Sequence, residues 1–500
     1  MYPTTAAGIW AQLMGERSNV LSKAERYAAL TIPSLLMPDG TTSDKEENTH
    51  DMQSVGAQAV NHLTNKVMLA MFAPSRPAMR LELGKKTKAD AANAQIDPTN
   101  SLSTIEREAS QQLDKRALRP ALYRTIRLLI VTGNALQLRE NESMRVFSIR
   151  SYCVKRTVDG RVHTLIVKED VCADELDTEL REAAGIPQER EHKVAYYRLV
   201  QLQPDGRYTE TQWIDQKDLG EKFKSVYTAD NSPWDALCWS RSDDANYGVG
   251  QVEEYAGDFE ALSALCESII DGAIVGTEVR WLVSPAGITQ VDDLKNSRNG
   301  DALNGRPEDV NAINAQIDKA LDIALKVSQH WEQRVARGFL LLSALTRNAE
   351  RVTAEEIRMT AMELETALGG VYSFLAHALQ LPLFRWLCKL AGHDLAGTDI
   401  DLVIVTGLAA LSRTGDIENL AQAFEVLGKL AAMPEPLLMR LKFDKLATDV
   451  GAGFNVDMSP YLMSDKEFAQ AQANAATARA AEATVTAAGE SAAQQGNVPQ

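Results

Sequence analysis

The stretch "RNAERVTAEEIR", residues 347–358, carries two signals that pull apart. Thr353, followed three residues later by Glu356, forms a capping box: the threonine hydroxyl accepts from a first-turn N–H and the glutamate reaches back to the cap. A helix is therefore expected to start there, and Glu355 and Glu356 need no further explanation, because acidic side chains suit a helix N-terminus. Arg347 and Arg351 sit just ahead of it, in a segment read as a loop, at the end of the helix that disfavours cations. The local sequence gives no reason for them. The reason has to come from the surroundings.

The chain is acidic, with a formal net charge of -16 over 500 residues and a pI near 5.1. A chain that long is expected to hold several modules. Its acidity argues against a tight, non-specific nucleic-acid binder, which would normally be basic, but leaves room for a protein that touches DNA without gripping it. The five cysteines, Cys153, Cys172, Cys238, Cys266 and Cys388, are scattered and read as reduced, buried thiols. No basic n-region followed by an apolar core marks a signal peptide. The apolar runs "VMLAMFA" and "FLLLSAL" fall short of the ~20 residues that span a bilayer, so a soluble protein is expected.

Residues 1 to about 140 read as mostly helical. "SVGAQAVNHLTNKVMLAMF" places Val55, Ala59, Val60, Leu63, Val67 and Phe72 at helical spacing. "SRPAMRLEL" alternates briefly like a strand, and a second helical stretch stops near Gly133. From about 145 to 240 the texture is β, with hairpin turns at "VDGR" and "PDGR" and the helix "ADELDTELREAAG" inserted. After Gly250, Val252, Tyr255, Phe259, Leu262, Cys266, Ile269 and Ala273 recur in steps of three and four. A second helix over about 311–340 does the same with Ile313, Ile317, Ala320, Ala324, Trp331 and Val335. The plan is long helix, compact loop-rich module, long helix. Gly369-Gly370 and Pro382 are expected breaks in the helix that follows. Residues 400–464 read as shorter helices, and the alanine-rich tail offers little apolar area to bury.

Motifs for catalysis are scarce. "GVG" at 248–250 stops short of a dinucleotide fingerprint, and "GKK" at 84–86 lacks the rest of a phosphate loop. The seven histidines are dispersed, and no Cys/His cluster suggests a metal. Asp292-Asp293 reads as a solvated turn, since a cation site needs more oxygen ligands. Lys319, Lys326, Arg334 and Arg337 lie along the second long helix, ahead of Arg347 and Arg351. By composition alone they read as an ordinary solvated face.

The motifs say more than the composition does. "RNAERVTAEEIRMTAMELETALGGVYSFLAHALQLPLFR" strongly resembles the portal, or head-to-tail connector, proteins of short-tailed bacteriophages (podoviruses). So do "SPAGITQ" followed by "GRPEDV", "ERYAALTIPSLL", "SVGAQAVNHLTNKVMLAMF" and "YGVGQVEEYAGDFEAL". The matches run in order from about residue 20 to 395, and the last hundred residues add none.

The resemblance implies an α+β, mainly helical portal fold of wing, stem, clip and crown, assembled as a ring of about twelve subunits around a channel. It divides the chain into an N-terminal wing region with a small antiparallel β part (1–250), a first stem helix (251–277), a clip (278–310) and a second stem helix (311–340). A tunnel loop or valve (341–353), a wing helix (354–399), crown helices (400–464) and an alanine-rich tail expected to be frayed or disordered (465–500) complete it. Double-stranded DNA would pass through the channel during packaging and ejection, without sequence specificity. Arg351 first, then Arg347, would ring the duplex, with Arg337, Arg334, Lys326 and Lys319 further along the channel. The clip, with Trp281, Pro285, Gly287, Asp292, Asp293 and Arg306, would dock the terminase and later the tail adaptor proteins. Major capsid and scaffolding proteins would meet the wing. No cofactor, metal or catalysis is implied, and no membrane. The place implied is the virion, at the capsid's portal vertex, after assembly in the host cytoplasm. An acidic wall with a few basic rings would keep DNA mobile, because every retained phosphate contact adds affinity. The competing structural reading is a virion or scaffolding protein that forms no channel, and the competing enzymatic one is a nuclease or nucleotide hydrolase.

Overall fold

The computed structural model describes residues 4–38, 51–72, 79–83, 99–187, 193–277, 280–313, 318–341, 359, 363–364, 366–395, 400–404 and 425. The chain divides into two compact units, Met1–Gly407 and Leu408–Gln500, and all the described residues except Glu425 belong to the first.

The first unit opens with α1 (Ala6–Leu30), capped by the Thr5 hydroxyl accepting from the Gly8 N–H at 3.2 Å. α2 (Val55–Met71) buries Ala59, Val60, Leu63 and Val67 along one face, as their spacing predicts, and Phe72 beyond its end. β1 (Met79–Leu83) follows, then α3 (Thr99–Lys115) and α4 (Arg119–Thr132). The long helix expected before Gly133 is thus two, parted where Pro120 starts the second. Leu128 to Thr132 are all buried, so the end of α4 is packed all round.

Gly133 ends α4 at φ 74°, and β2 (Asn134–Glu140) begins at once. β3 (Ser143–Phe147) pairs with β2, and β4 (Tyr152–Arg156), β5 (Val162–Cys172), α5 (Thr178–Ala184), β6 (Lys193–Leu202) and β7 (Tyr208–Ile214) follow. The short strands β8 (Lys217–Asp218) and β9 (Ser225–Tyr227) both pair with β7, and β10 (Trp234–Cys238) returns to β2. The larger sheet runs β4-β5-β6-β7-β8 with β9 on β7, all antiparallel, and its tight turns hold Gly160 and Gly206 at positive φ, where the two "DGR" signals stood. The first turns of α1 pack Ala6, Trp10 and Leu13 on this sheet, against Cys153, Ile166, Tyr197 and Leu199.

The "GVG" motif has a structural reason. A Cβ on Gly250 would lie 2.7 Å from the Gly133 nitrogen, and one on Gly133 would lie 2.5 Å from the Gly248 oxygen. Asn134 locks this backbone crossing, donating to the Gly248 carbonyl at 2.9 Å and accepting from its N–H at 2.7 Å.

Beyond it come α6 (Gln251–Glu254) and α7 (Ala256–Thr277), parted at Tyr255, where a single helix was expected. The apolar stripe is covered at its start and uncovered at its end: Phe259 and Leu262 are buried, Cys266 and Ile269 half-buried, Ala273 exposed. A small module follows, made of β11 (Arg280–Val283), α8 (Val291–Asn296) and β12 (Val310–Ile313), with the two strands paired antiparallel. The helix read over 311–340 therefore needs correcting. Its first residues belong to β12, where Val310 and Ile313 register with Val283 and Arg280, and the helix α9 runs over Asp318–Gly338.

After Gly369, at φ 58°, come α10 (Gly370–Leu375), a π-helical turn (Ala376–Gln380) and α11 (Leu381–Leu390). Gly369 is the break expected there. At Pro382 the helix continues, with the wide turn directly ahead of a residue that lacks an N–H. The reading of helices from residue 400 is corrected at its start: Ile400–Ile404 is β13, antiparallel to β1 from Met79 to Leu83. Alternation in "IDLVI" fits a strand, and its partner lies too far away in sequence for a local reading to find. Apart from Glu425, the rest of 400–464 and the tail lie outside the described residues.

Candidate functional site

α7 and α9 pack on each other, with the β11–α8–β12 module joining their far ends. α9 turns Leu321, Ala324, Ser328, Trp331, Val335 and Phe339 inward, half-buried at first and fully buried by Val335 and Phe339. At ~100° per residue these six lie within roughly 80° of one another. Lys319, Lys326, His330 and Arg337 are all exposed and lie within roughly 40° of one another, on the opposite side. Ile323, 63% exposed, shares that side. The result is a cationic stripe about 27 Å long on an acidic chain, and its direction follows from which face of α9 is apolar.

Arg334 departs from this stripe. Its Nη2 lies 3.2 Å from Asp258 Oδ1 on α7, and its guanidinium lies 4.4 Å from the centroid of the Trp331 ring. It stitches the helical pair together. Arg347 and Arg351, with the capping box after them, lie outside the described residues.

The chain's exit from α9 is tightly fixed. Phe339 is fully buried, edge-on to Tyr255 at 5.5 Å and to Phe259 at 5.6 Å. A Cβ on Gly338 would lie 2.3 Å from Tyr255 Cζ, so only glycine lets α9 come this close.

The module brings the second group of expected residues together. Trp281 is 59% exposed and Leu282 56% exposed, so neither has a core role within the protomer. Pro285, Asp292, Asp293 and Arg306 are exposed, and the Gly287 N–H donates to the Ser284 carbonyl at 3.0 Å to close the turn. Asp292 and Asp293 stand in the first turn of α8 instead of in a loop, where their charge suits the helix dipole. Among the described residues no cluster of His, Cys, Asp or Glu could hold a metal.

Sequence reasoning missed the residue that organises this module. Asp309 Oδ2 accepts from the Ile288 N–H at 2.9 Å, the Thr289 N–H at 3.3 Å and the Thr289 hydroxyl at 3.2 Å. Desolvation would raise the Asp309 pKa, but these bonds and Arg306 outweigh it and hold it below the usual value. The Thr289 hydroxyl also accepts from the Arg306 N–H at 3.1 Å. The motifs "SPAGITQ" and "GRPEDV" meet through these two side chains.

A match to the family described as bacteriophage head to tail connecting protein spans residues 3–462. The portal protein of Escherichia phage T7 is 31% identical over 489 residues, covering 94% of this chain and 90% of the relative. That of Enterobacteria phage T3 is 32% identical, covering 92% and 89%. That of Pseudomonas phage phiKMV is 33% identical over 500 residues, covering 96% of both. Among solved structures, the neck of an empty GTA particle, computed with C6 symmetry, aligns over 81% of this chain and 90% of that one. Its identity is 11% and its TM-score 0.37, and at that level the likeness decides nothing.

Proposed function

The chain belongs to the bacteriophage head-to-tail connecting protein family, and from that premise we propose how its parts serve as a portal. Portal function at the capsid vertex, in DNA packaging and tail attachment, is what the family does. One observation carries that assignment to this chain: a match from residue 3 to 462, with portal-protein relatives aligned over about nine-tenths of both lengths.

The finer reading is ours. Twelve subunits form a ring, with α7 and α9 as the stem, the β11–α8–β12 module as the clip, the larger sheet and its helices in the wing, and the residues after β13, to 464, in the crown. Exposed apolar side chains support the ring. Ile270, Ile274 and Val275 on α7, Trp281 and Leu282 on the clip, and Leu325 and Val327 on α9 are all exposed within the protomer. The cationic stripe of Lys319, Lys326 and Arg337 faces the channel, and Arg351 and Arg347 narrow it in the 341–353 tunnel loop. Phosphates slide past this sparse set of cations without being held, because affinity for DNA grows with every phosphate neutralised.

The clip is the docking surface for the terminase, which supplies ATP hydrolysis, and afterwards for tail adaptor proteins. Capsid and scaffolding proteins surround the wing. The chain performs no catalysis itself, and it assembles in the host cytoplasm before taking its place in the virion.

Negative-stain electron microscopy with mass measurement tests this directly. Rings of about a dozen chains, with an axial hole wide enough for duplex DNA (~20 Å), are expected. A protein that stays monomeric even with its capsid and scaffolding partners would sink the channel reading. Given rings, Arg351→Ala particles should assemble normally and hold less DNA.

A further inference from the structure

The two flanks of α9 differ. Lys319, Lys326 and Arg337 hold the side away from the apolar face, and to one side of them stand Ile323, Val327, His330 and Arg334, within about 60° of one another at ~100° per residue. To the other side stand Leu325 and Glu332, about 20° apart. The two groups lie roughly 180° from each other around the helix. Ile323 is 63% exposed, Leu325 45% and Val327 38%. Glu332 and His330 are exposed, and the Arg334 side chain stays 49% exposed while it holds Asp258.

The pattern repeats along the helix. Ile323, Leu325 and Val327 are followed one heptad later by His330, Glu332 and Arg334. Seven residues make nearly two turns, so the second set stands above the first. At each level one flank carries a single residue, and the other carries the two that precede and follow it by two positions. All three are apolar at the first level. At the second, a carboxylate stands opposite an imidazole and a guanidinium, both of which can donate to it.

Cyclic symmetry turns this pattern into a contact. Rotation about a channel axis adds no rise, and contacts in such a ring are heterologous, so one flank of each subunit meets the other flank of the next at the same height. Leu325 lies about 3 Å along the helix from both Ile323 and Val327, and Glu332 about 3 Å from both His330 and Arg334. Upright helices set each between its two partners, and a tilt in either sense brings one of the two level. About twelve helices spaced ~10 Å apart close a circle with their axes ~19 Å from the centre, leaving a hole ~28 Å wide.

We infer that α9 forms the side-to-side seam of the ring, with Leu325 and Glu332 of one subunit seated between Ile323 and Val327, and between His330 and Arg334, of the next. The inference rests on the ring reading above and adds which faces close it. The occupant is a second copy of this chain, because both the apolar and the charged level match only across opposite flanks. Two like flanks would instead set Glu332 against Glu332. The same placement leaves Lys319, Lys326 and Arg337 toward the hole.

Cysteine cross-linking of assembled rings tests the seam. Leu325→Cys and Val327→Cys are placed together in one chain, where they point about 160° apart with the helix between them. Treated with a short bismaleimide, this double variant should run on a denaturing gel as a ladder reaching about a dozen chains. Either cysteine alone, and the wild type with its five native cysteines, should run as single chains. Ile323→Cys in place of Val327→Cys repeats the test for the opposite tilt, and a ladder from either pair supports the seam. For the charged level, Glu332→Lys should raise the concentration at which rings dissociate by roughly two- to fivefold per contact at low salt, a difference that high salt removes.

Rings that link in neither pair would overturn the seam. So would linked dimers from Leu325→Cys alone, which arise only where like flanks face each other. Unaltered dissociation of Glu332→Lys at low salt would overturn the charge match. Failure of the portal reading shows separately, as wild-type protein that forms no rings even with its capsid and scaffolding partners, and the seam falls with it.

Discussion

Arg334 on α9 meets Asp258 on α7 at 3.2 Å, with its guanidinium packed 4.4 Å from the centre of the Trp331 ring. Asp258 is largely covered, while the Arg334 side chain is 49% exposed, so solvent screens the pair. The ion pair is worth about 0.5 kcal/mol and the ring contact about as much again. Arg334→Ala should therefore lower Tm by about one degree and, once rings form, leave DNA per particle unchanged. A loss of DNA with no change in Tm would place Arg334 in the channel after all.

Lys326 and Arg337 should behave the opposite way. Both are exposed, and neither forms an ion pair with a described residue. Replacing both by glutamine should alter stability by no more than ~0.5 kcal/mol, as for ordinary surface positions. Binding of duplex DNA to the rings should become less salt-dependent, its log–log slope falling by about 0.9 for each phosphate no longer neutralised. Titration by fluorescence anisotropy across a salt series checks this. An unchanged slope would mean that the stripe meets something other than phosphate.

The sequence discloses periodicity and turn chemistry but not long-range pairing. The buried faces of α2 and α9 and the glycine turns of the large sheet are readable, because each depends on residues a few positions apart. Read locally, β12 and β13 pass for helix, because the evidence for them lies in their partners: Arg280–Val283 for one and Met79–Leu83 for the other. At the candidate site, spacing alone aligns Lys319, Lys326 and Arg337. Nothing in it turns Arg334 toward Asp258, or singles out Asp309 as the centre of the loop module. His62 and Lys66 pass as the polar edge of an amphipathic helix, because their partners, Leu340 and Glu363, lie 278 and 297 residues away.

A buried ion pair in the smaller sheet makes a pH prediction. Arg139 Nη2 lies 3.0 Å from Asp235 Oδ1, both side chains are almost wholly covered, and Asp235 Oδ2 has no partner among the described residues. Burial outweighs the attraction of Arg139 and pushes the Asp235 carboxyl up to about 6. Its folded value thus lies above the unfolded one near 3.9, and the folded state holds the extra proton between them. The stability this contributes is fully present below about pH 4 and is lost as pH rises through about 6, on the order of 3 kcal/mol in all. Denaturant unfolding at pH 5 and pH 7 should show about 1.3 kcal/mol of it in the wild type, the part that falls between pH 5 and the folded value, and Asp235→Asn should flatten it. An equal slope in both proteins would assign it elsewhere.

Gly338→Ala probes the exit from α9. The added methyl would meet Tyr255 Cζ at 2.3 Å, and the ring cannot retreat without leaving Phe339, which it contacts edge-on. Overpacking of this kind costs about 1–3 kcal/mol. The cost falls where α9 hands the chain to Leu340, so Tm should drop. Tyr255→Leu removes the atoms that clash. In a double-mutant cycle, Gly338→Ala should therefore cost less on the Tyr255→Leu background than in the wild type, a coupling expected only of residues that touch. If the two effects simply add, the close approach of Tyr255 is not what demands glycine, and some other feature of the α9 terminus must.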